Sequence, residues 1–255
     1  MIKTYSEGIL KTQPSFLQAL GIEDAKNPVV SFVGAGGKTT LIGLAAEEYR
    51  KKGIPVIVTT TTHMKAEEKP WFLLEPSLYK LEEILKREGM VWVGYTTKEA
   101  KMKSPPPEFL NQIVGLGCPV LIEADGSKRL PLKAPAAHEP VILPQTSHVV
   151  NVYGMDSVGK TFEEICFRAD IVLTLLGKEK TDIVTEKDIV KLAFDNRAGR
   201  KSVTPSMSYQ IALNKVDTLE REAAALSICR LAREQGQTEG IVVAGGNKGR
   251  DENIN

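Results

Sequence analysis

A glycine-rich turn is the first place where this sequence could do chemistry. The turn reads Gly34-Ala35-Gly36-Gly37 and is followed at once by Lys38-Thr39-Thr40. A strand that passes into a helix through such a turn presents free backbone N–H groups and the positive end of the helix dipole to an anion. The lysine adds a cation for the β- and γ-phosphates, and the next threonine holds Mg²⁺. We therefore predict that residues 34–40 bind a nucleoside triphosphate.

The segments on either side of the turn are those that a phosphate-binding turn requires. Val29–Val33 is typical of a buried strand, and the segment 41–49 carries its apolar residues on one helical face. The motif is shorter than a full P-loop, because Phe32 stands where that motif has its first glycine. A glycine-rich turn with a surface lysine and no ligand is the alternative. The flanking elements favour the phosphate site.

An apolar run that ends in acidic residues follows at Leu121–Asp125. It resembles a Walker B segment, in which a carboxylate holds Mg²⁺ directly or through water. Glu123 and Asp125 are two positions apart, so a continuing strand points both side chains to one face. We predict that Thr39, Glu123 and Asp125 hold the metal and that Lys38 and Asp125 act in catalysis. An ordinary acidic strand end is the alternative.

Four consecutive threonines, Thr59–Thr62, end another predicted strand and precede His63. In a doubly wound sheet, ligands bind beyond the carboxyl ends of the strands. One of these hydroxyls could therefore coordinate Mg²⁺, position a water or sense the γ-phosphate. We take Thr61 as the candidate catalytic residue, although the sequence does not decide among the four. The alternative is that β-branched residues are simply favoured in strands.

The motif Asn214-Lys215-Val216-Asp217 follows a third apolar run. It resembles the N-K-x-D motif with which G proteins recognise the base. A carboxylate at Asp217 can accept hydrogen bonds from N1–H and the 2-amino group of guanine, which adenine cannot supply. We predict that Asn214, Lys215 and Asp217 bind the nucleotide and that GTP is favoured over ATP. A tetrapeptide of this kind also occurs by chance, so both nucleotides stay open.

The alternation of predicted strands and helices indicates an α/β fold. Several strands are apolar throughout, which is typical of a mostly parallel, doubly wound sheet with helices on both faces, as in P-loop NTPases. We predict a single P-loop NTPase-like domain over residues 1–255. The segment 64–117 is predicted to be an inserted α+β elaboration between two core strands.

The overall composition excludes several classes of partner. The 255 residues carry 33 Lys and Arg against 32 Asp and Glu, a formal charge of +1, which gives no bulk attraction to nucleic acid or to an anionic membrane. We find no apolar run of about 20 residues that could span a bilayer and no signal peptide. The three scattered cysteines have no metal-ligand spacing. We expect a cytoplasmic protein with buried thiols.

Five blocks of the sequence together resemble the bacterial selenium-dependent molybdenum hydroxylase accessory proteins of the YqeC type. The blocks are GAGGKTT, TTTTHM, EADGSKRLPLKAPAAHEPVI, GMDSVGK and ALNKVD, all within Val29–Gly246. The resemblance implies a role in maturing a selenium- and molybdenum-containing cofactor or enzyme, with such a hydroxylase as the partner. It does not supply a reaction.

Three functions are therefore open. The leading hypothesis is a Mg²⁺-dependent nucleoside triphosphate hydrolase, with GTP favoured, that assists this maturation. The second is an ATP-dependent enzyme that activates a small acid or a selenium species, with Lys128, Arg129 and His138 near the acceptor. Lys133 belongs to the same candidate set of cations for an anionic substrate. The third is a nucleotide-gated chaperone with negligible turnover.

Overall fold

A computed structural model describes residues 1–97 and 101–246 of the chain. The strands are β1 (Ile2–Ser6), β2 (Ile9–Gln13), β3 (Val29–Gly34), β4 (Val56–Thr60), β5 (His63–Lys65), β6 (Phe72–Leu73), β7 (Met90–Val93), β8 (Tyr95–Thr96), β9 (Lys101–Lys103), β10 (Val120–Glu123), β11 (Leu132–Lys133), β12 (His148–Gly154), β13 (Cys166–Phe167), β14 (Ser208–Asn214) and β15 (Gly240–Ala244). The helices are α1 (Phe16–Ala19), α2 (Lys38–Lys51), α3 (Leu78–Glu88), α4 (Pro107–Val114), α5 (Phe162–Ile165), α6 (Ala169–Leu176), α7 (Glu186–Phe194) and α8 (Leu219–Glu234), with a short 3₁₀ helix at Met155–Ser157.

Ten of these strands form one large sheet, in the order β2-β1-β15-β14-β12-β3-β10-β4-β7-β6. Strand β1 is antiparallel to both of its neighbours, and every other pair in this sheet is parallel. The predicted mostly parallel α/β architecture is thus confirmed. Strand β3 lies near the middle, between β12 and β10, so the turn after it opens at the centre of the carboxyl edge.

Helices cover both faces of the sheet. Val30 and Phe32 of β3 pack with α1 and α2 on one face, whereas Val29 and Val33 belong to clusters on the other face, which hold α3 to α8. This alternation is what a strand buried on both sides requires. Phe32 is completely buried against α2. The position that is glycine in a full P-loop is therefore a core position of the strand in this chain.

The segment 64–117, predicted to be an insertion between two core strands, also contributes strands to the main sheet. Its strands β6 and β7 extend the parallel sheet beyond β4, and α3 packs on β7. Strands β5, β9 and β8 form a separate three-stranded antiparallel sheet. Within residues 1–97 and 101–246, no helix has the length and apolar composition needed to cross a bilayer.

Candidate functional site

The turn between β3 and α2 is shaped by glycines that no other residue could replace without strain. Gly34, Gly36 and Gly37 have φ values of +89°, +86° and +112°. A Cβ on Gly36 would lie 2.1 Å from the backbone nitrogen of Gly154. A Cβ on Gly37 would lie 2.5 Å from Nδ2 of Asn214. The turn is therefore packed directly against the ends of β12 and β14.

The amides of this turn fall into two sets. The N–H groups of the first three residues are used: Gly34 donates to Oδ2 of Asp125 (2.9 Å), Ala35 to the carbonyl of Val152 (2.8 Å) and Gly36 to the carbonyl of Leu130 (3.3 Å). The next four, those of Gly37, Lys38, Thr39 and Thr40, have no acceptor within the described part of the chain. Four free donors at the N-terminus of a fourteen-residue helix are suited to bind a phosphate.

The Lys38 side chain lies over the turn, almost completely buried. Its Nζ donates to the carbonyl of Gly34 (2.7 Å) and lies 3.1 Å from Oδ1 of Asp125. That contact lacks hydrogen-bond geometry, and Oδ1 has no hydrogen-bond partner among the described residues. The lysine is thus within reach of the free amides, where a phosphate would compete with the carbonyl for it.

Asp125 is also held from its other side, by a second buried lysine. Lys133 places Nζ 2.7 Å from Oδ2 of Asp125 and 3.2 Å from Oε2 of Glu139, and it donates to the carbonyl of Gly126 (2.7 Å). Glu139 in turn pairs with the guanidinium of Arg168 through both carboxylate oxygens. Alternating charges therefore run from the glycine turn to Arg168.

The pKa values in this chain of charges reflect burial and pairing. Burial lowers the pKa of Lys133, although its carboxylate neighbours, chiefly Asp125, partly offset this effect. Burial by itself would raise the pKa of Glu139, but Arg168 and Lys133 outweigh it and lower that pKa to about 2. Lys133 is 1% exposed and pairs with Asp125 and Glu139, so its role in contacting an anionic substrate stays a prediction. It also positions Asp125.

Thr39 and Glu123 form the pair of oxygen donors nearest the free amides. The hydroxyl of Thr39 donates to Oε2 of Glu123 at 2.7 Å. Burial raises the pKa of Glu123, and the charge of Lys38 partly counters this. Among residues 1–97 and 101–246, no three His, Cys, Asp or Glu side chains form a metal-binding group. The pair fits Mg²⁺ only in the manner of a phosphate-bound ion, which takes one or two protein ligands beside phosphate and water.

The four threonines are used mainly to tie strands together. The hydroxyls of Thr59, Thr60 and Thr61 donate to the carbonyls of Val93 (2.9 Å), Glu123 (2.8 Å) and Val141 (2.7 Å), respectively. Thr62 and His63, rather than Thr61, line the groove described below. The structure thus gives Thr61 a structural contact, and its catalytic role stays a prediction.

The Asn214–Asp217 motif joins the glycine turn through one residue. Nδ2 of Asn214 donates to the carbonyl of Gly36 at 2.8 Å, and Nζ of Lys215 lies 2.7 Å from Oδ2 of Asp156. Oδ1 of Asp217 accepts the N–H of Gly246 (2.8 Å), near the end of the described residues. The other oxygen of Asp217 lies 3.7 Å from Nη1 of Arg221 and makes no closer contact in the described ranges.

A groove of about 2120 Å³ opens beside the free amides. Its lining mixes cations, carboxylates and aromatic rings. The cations include Lys128, Arg129, Arg168 and Lys215, and the aromatic rings include Trp71, Phe72 and Trp92. His138 is exposed and lies outside this lining. The sequence predicted Lys128 and Arg129 for an anionic substrate but gave no sign of Arg168, which comes from a distant segment.

His148 has a structural setting. Its Nδ1 lies 2.9 Å from the hydroxyl of Ser147, and burial lowers its pKa. The three cysteines are buried and unpaired, and burial raises the pKa of each thiol. Neither His148 nor any of the three cysteines lines the groove.

Comparison with known proteins places these residues in a family context. A family model described as YqeC protein matches residues 30–170. A protein of Escherichia coli (strain K12), called Uncharacterized protein YqeC, is 36% identical over 202 residues, which cover 77% of this chain and 79% of that protein. The matched residues include the glycine turn, Glu123, Asp125 and Arg168, whereas the Asn214–Asp217 motif lies outside the matched range.

Proposed function

This chain belongs to the YqeC family, and from that premise we propose that it is a Mg²⁺-dependent nucleotide-binding protein of the P-loop type. We propose further that it hydrolyses GTP and assists the maturation of a selenium- and molybdenum-containing hydroxylase or of its cofactor. The geometry of the glycine turn supports nucleotide binding, and the family resemblance supports the maturation role.

One observation carries the proposal: the four unpaired amides of residues 37–40 lie beside a buried lysine and a threonine–carboxylate pair. A phosphate at these amides would accept their N–H groups and gain the helix dipole. It would also draw Lys38 away from the carbonyl of Gly34, because a charged acceptor binds an ammonium more strongly than a neutral one does. Asp125 would then keep Lys133 as its counter-charge, so that Lys38 is released without leaving a buried carboxylate unpaired.

Mg²⁺ would be held by Thr39 and Glu123, and when bound it neutralises charge on the β- and γ-phosphate oxygens. Glu123 is buried with a raised pKa, and a cation beside it would favour its charged form. Lys38 would stabilise the charge that develops on the γ-phosphate during hydrolysis. These residues hold and orient the phosphates, which is the main requirement of phosphoryl transfer.

The preference for GTP depends on the other end of the site. Asn214 ties its motif to the glycine turn, and an Asp217 oxygen without a close partner is available for the guanine edge. Adenine offers no donors in that pattern, so it would leave the carboxylate unsatisfied. ATP-dependent activation of a small acid or a selenium species is the second candidate, and Lys128 and Arg129 favour it because both line the groove and could contact an anionic acceptor.

Equilibrium titration with fluorescent GTP and ATP, with and without Mg²⁺, tests the proposal. Wild-type protein should bind GTP more tightly than ATP, and removal of Mg²⁺ should weaken binding. Lys38→Ala should abolish binding. Lys187→Ala, which changes an exposed lysine of α7, is the matched control and should bind normally. Equal binding of GTP by Lys38→Ala and wild type would overturn the assignment of the site.

A further inference from the structure

We propose that Arg129 is a catalytic residue of the proposed hydrolysis, a cation that contacts the γ-phosphate while this group is transferred to water. This inference rests on the proposed function, since it takes the amides of residues 37–40 as the phosphate site. It deepens that function, because the protein would then hydrolyse nucleotide without a cation from a partner protein. Three observations carry it: a strained tight turn, the attachment of this turn to the glycine turn, and a guanidinium without a partner among the described residues.

Arg129 lies in a tight turn that its residue types do not favour. The N–H of Leu130 donates to the carbonyl of Ser127 at 3.0 Å, which closes a four-residue turn with Lys128 and Arg129 at its centre. Both central residues have positive φ, +47° and +64°, as in a type I′ turn. Pairs such as Asn-Gly are preferred at these positions, because a Cβ strains this backbone. Such strain is typical of functional sites, where a residue is retained for its side chain.

The tight turn is attached directly to the glycine turn. Immediately before it, Oδ2 of Asp125 accepts the N–H of Gly34 (2.9 Å). Immediately after it, the carbonyl of Leu130 accepts the N–H of Gly36 (3.3 Å). The segment between these two contacts, 126–129, lines the same groove as the four residues with free amides. Because the segment is tied to the glycine turn at both ends, we expect its side chains to lie close to a phosphate bound there.

The guanidinium of Arg129 is exposed and unpaired. Nothing in the described part of the chain forms a hydrogen bond, an ion pair or a ring contact with it. Two neighbouring cations of the groove are already engaged. The ammonium of Lys128 lies over the Phe167 ring, 5.3 Å from its centroid, and Arg168 pairs with Glu139. Arg129 can therefore turn toward a new anion without breaking a contact.

A free guanidinium at this place suits the transition state of hydrolysis. A water oxygen forms a bond to the γ-phosphorus, and the bond to the bridging oxygen breaks, so that the diphosphate leaves with the electron pair. One water proton stays on the released phosphate, and the other passes to this phosphate or to solvent. The planar fork of an arginine can donate to two phosphate oxygens at once. Contacts that strengthen in the transition state raise the turnover rate rather than the affinity.

Comparison of Arg129→Gln with the wild type tests the proposal, with whichever of GTP and ATP the wild type hydrolyses. Turnover at saturating nucleotide should fall about a thousandfold, as on loss of a catalytic arginine. Binding of the imido analogue of the triphosphate should stay close to that of the wild type. Binding of the diphosphate with aluminium fluoride, which resembles the transition state, should weaken strongly. Arg230→Gln removes an exposed charge of α8 and should change none of these quantities.

Arg129→Gly separates catalysis from folding. Glycine adopts the left-handed backbone without strain, so thermal unfolding should show a variant at least as stable as the wild type. Its turnover should nevertheless fall as in Arg129→Gln. Arg129→Lys should regain only part of the turnover, because an ammonium lacks the fork. The inference is wrong if Arg129→Gln turns over nucleotide as fast as the wild type. It is also wrong if this variant binds the imido analogue and the transition-state analogue more weakly by the same factor, since Arg129 then acts only in binding.

The same measurements distinguish this inference from the proposed function. If the wild type binds neither GTP nor ATP, or if Lys38→Ala binds them as the wild type does, the phosphate site is wrong and the inference falls with it. If the wild type hydrolyses nucleotide in a manner that depends on Lys38, and Arg129→Gln does so at the same rate, the proposed function stands and only the inference is removed.

Discussion

The phosphate end and the base end of the predicted nucleotide site are built differently. Lys38 and Asp125 have side chains that are each 2% exposed, and they belong to a continuous chain of charges. At the base end, Lys215 and Asp217 are 36% and 21% exposed and make separate contacts. Buried ion pairs are weakly screened, whereas exposed ones contribute little. We therefore expect changes at the phosphate end to affect stability most and changes at the predicted base end to affect specificity most.

Asp125→Asn should give the largest effect on stability. It leaves Lys38 and Lys133 buried without their common counter-charge, and breaking such a pair costs about 3–5 kcal/mol. Urea denaturation measures this loss. The matched change at the base end, Asp156→Asn, breaks the more exposed pair with Lys215 and should cost less than about 1 kcal/mol. Equal losses in the two variants would contradict the contrast between the two ends.

Gly36→Ala should come next, with a loss of about 1–3 kcal/mol. Its Cβ would meet the backbone of Gly154, which cannot move away without shifting β12. Gly37→Ala meets the side-chain amide of Asn214, which can rotate, so we expect a smaller loss of stability in that variant. Thermal unfolding of both variants tests this order. A larger loss for Gly37→Ala would show that the turn is held mainly by the base-end motif.

Asp217→Asn should change specificity with little change in stability. An amide offers a donor where the carboxylate accepts, so GTP should bind about 10–100-fold more weakly and xanthosine triphosphate more tightly. Competition against a fluorescent nucleotide measures both effects. If the preference among GTP, ATP and xanthosine triphosphate does not change, Asp217 does not contact the base.

The last prediction concerns the contribution of Glu139 to stability in acid. Its pKa in the folded protein, about 2, lies below the ordinary value of 4.5. The stability it contributes is therefore present above about pH 4.5 and is lost as the pH falls toward 2. Glu139→Gln should flatten the pH dependence of unfolding in that window. Glu234→Gln, an exposed change on α8, should leave the curve as it is in the wild type. Identical curves for wild type and Glu139→Gln would refute the pairing.

Much of the sheet could be predicted from the sequence, because its central strands are apolar throughout. The prediction for 29–33 corresponds to β3 within one residue, and the apolar runs predicted to end in the threonines and before Asn214 correspond to β4 and β14. The β1–β2 hairpin was missed, although Glu7 and Gly8 both have positive φ, as a two-residue hairpin turn requires. Its strands are short and half-exposed, so their periodicity is weak.

Residues of the candidate site that belong to a sequence motif could be predicted from the sequence. Residues that reach the site only through tertiary contacts could not. The Thr39–Glu123 pair joins two motifs that the sequence already marked. In the sequence Lys133 resembles a surface lysine, because no pattern in the neighbouring residues indicates that its side chain is buried and paired with Asp125 and Glu139. Arg168 reaches the groove from a segment without a motif, and its left-handed backbone cannot be read from its residue type.

An NMR titration of the backbone amides with GTP and Mg²⁺ tests the assignment of the phosphate site without any mutation. We expect large shifts and slowed hydrogen exchange at Gly37, Lys38, Thr39 and Thr40, because their free N–H groups would acquire phosphate acceptors. The amide of Lys187 on α7 should not move. If neither GTP nor ATP, at millimolar concentration with Mg²⁺, changes those four amides, the turn does not bind a nucleotide.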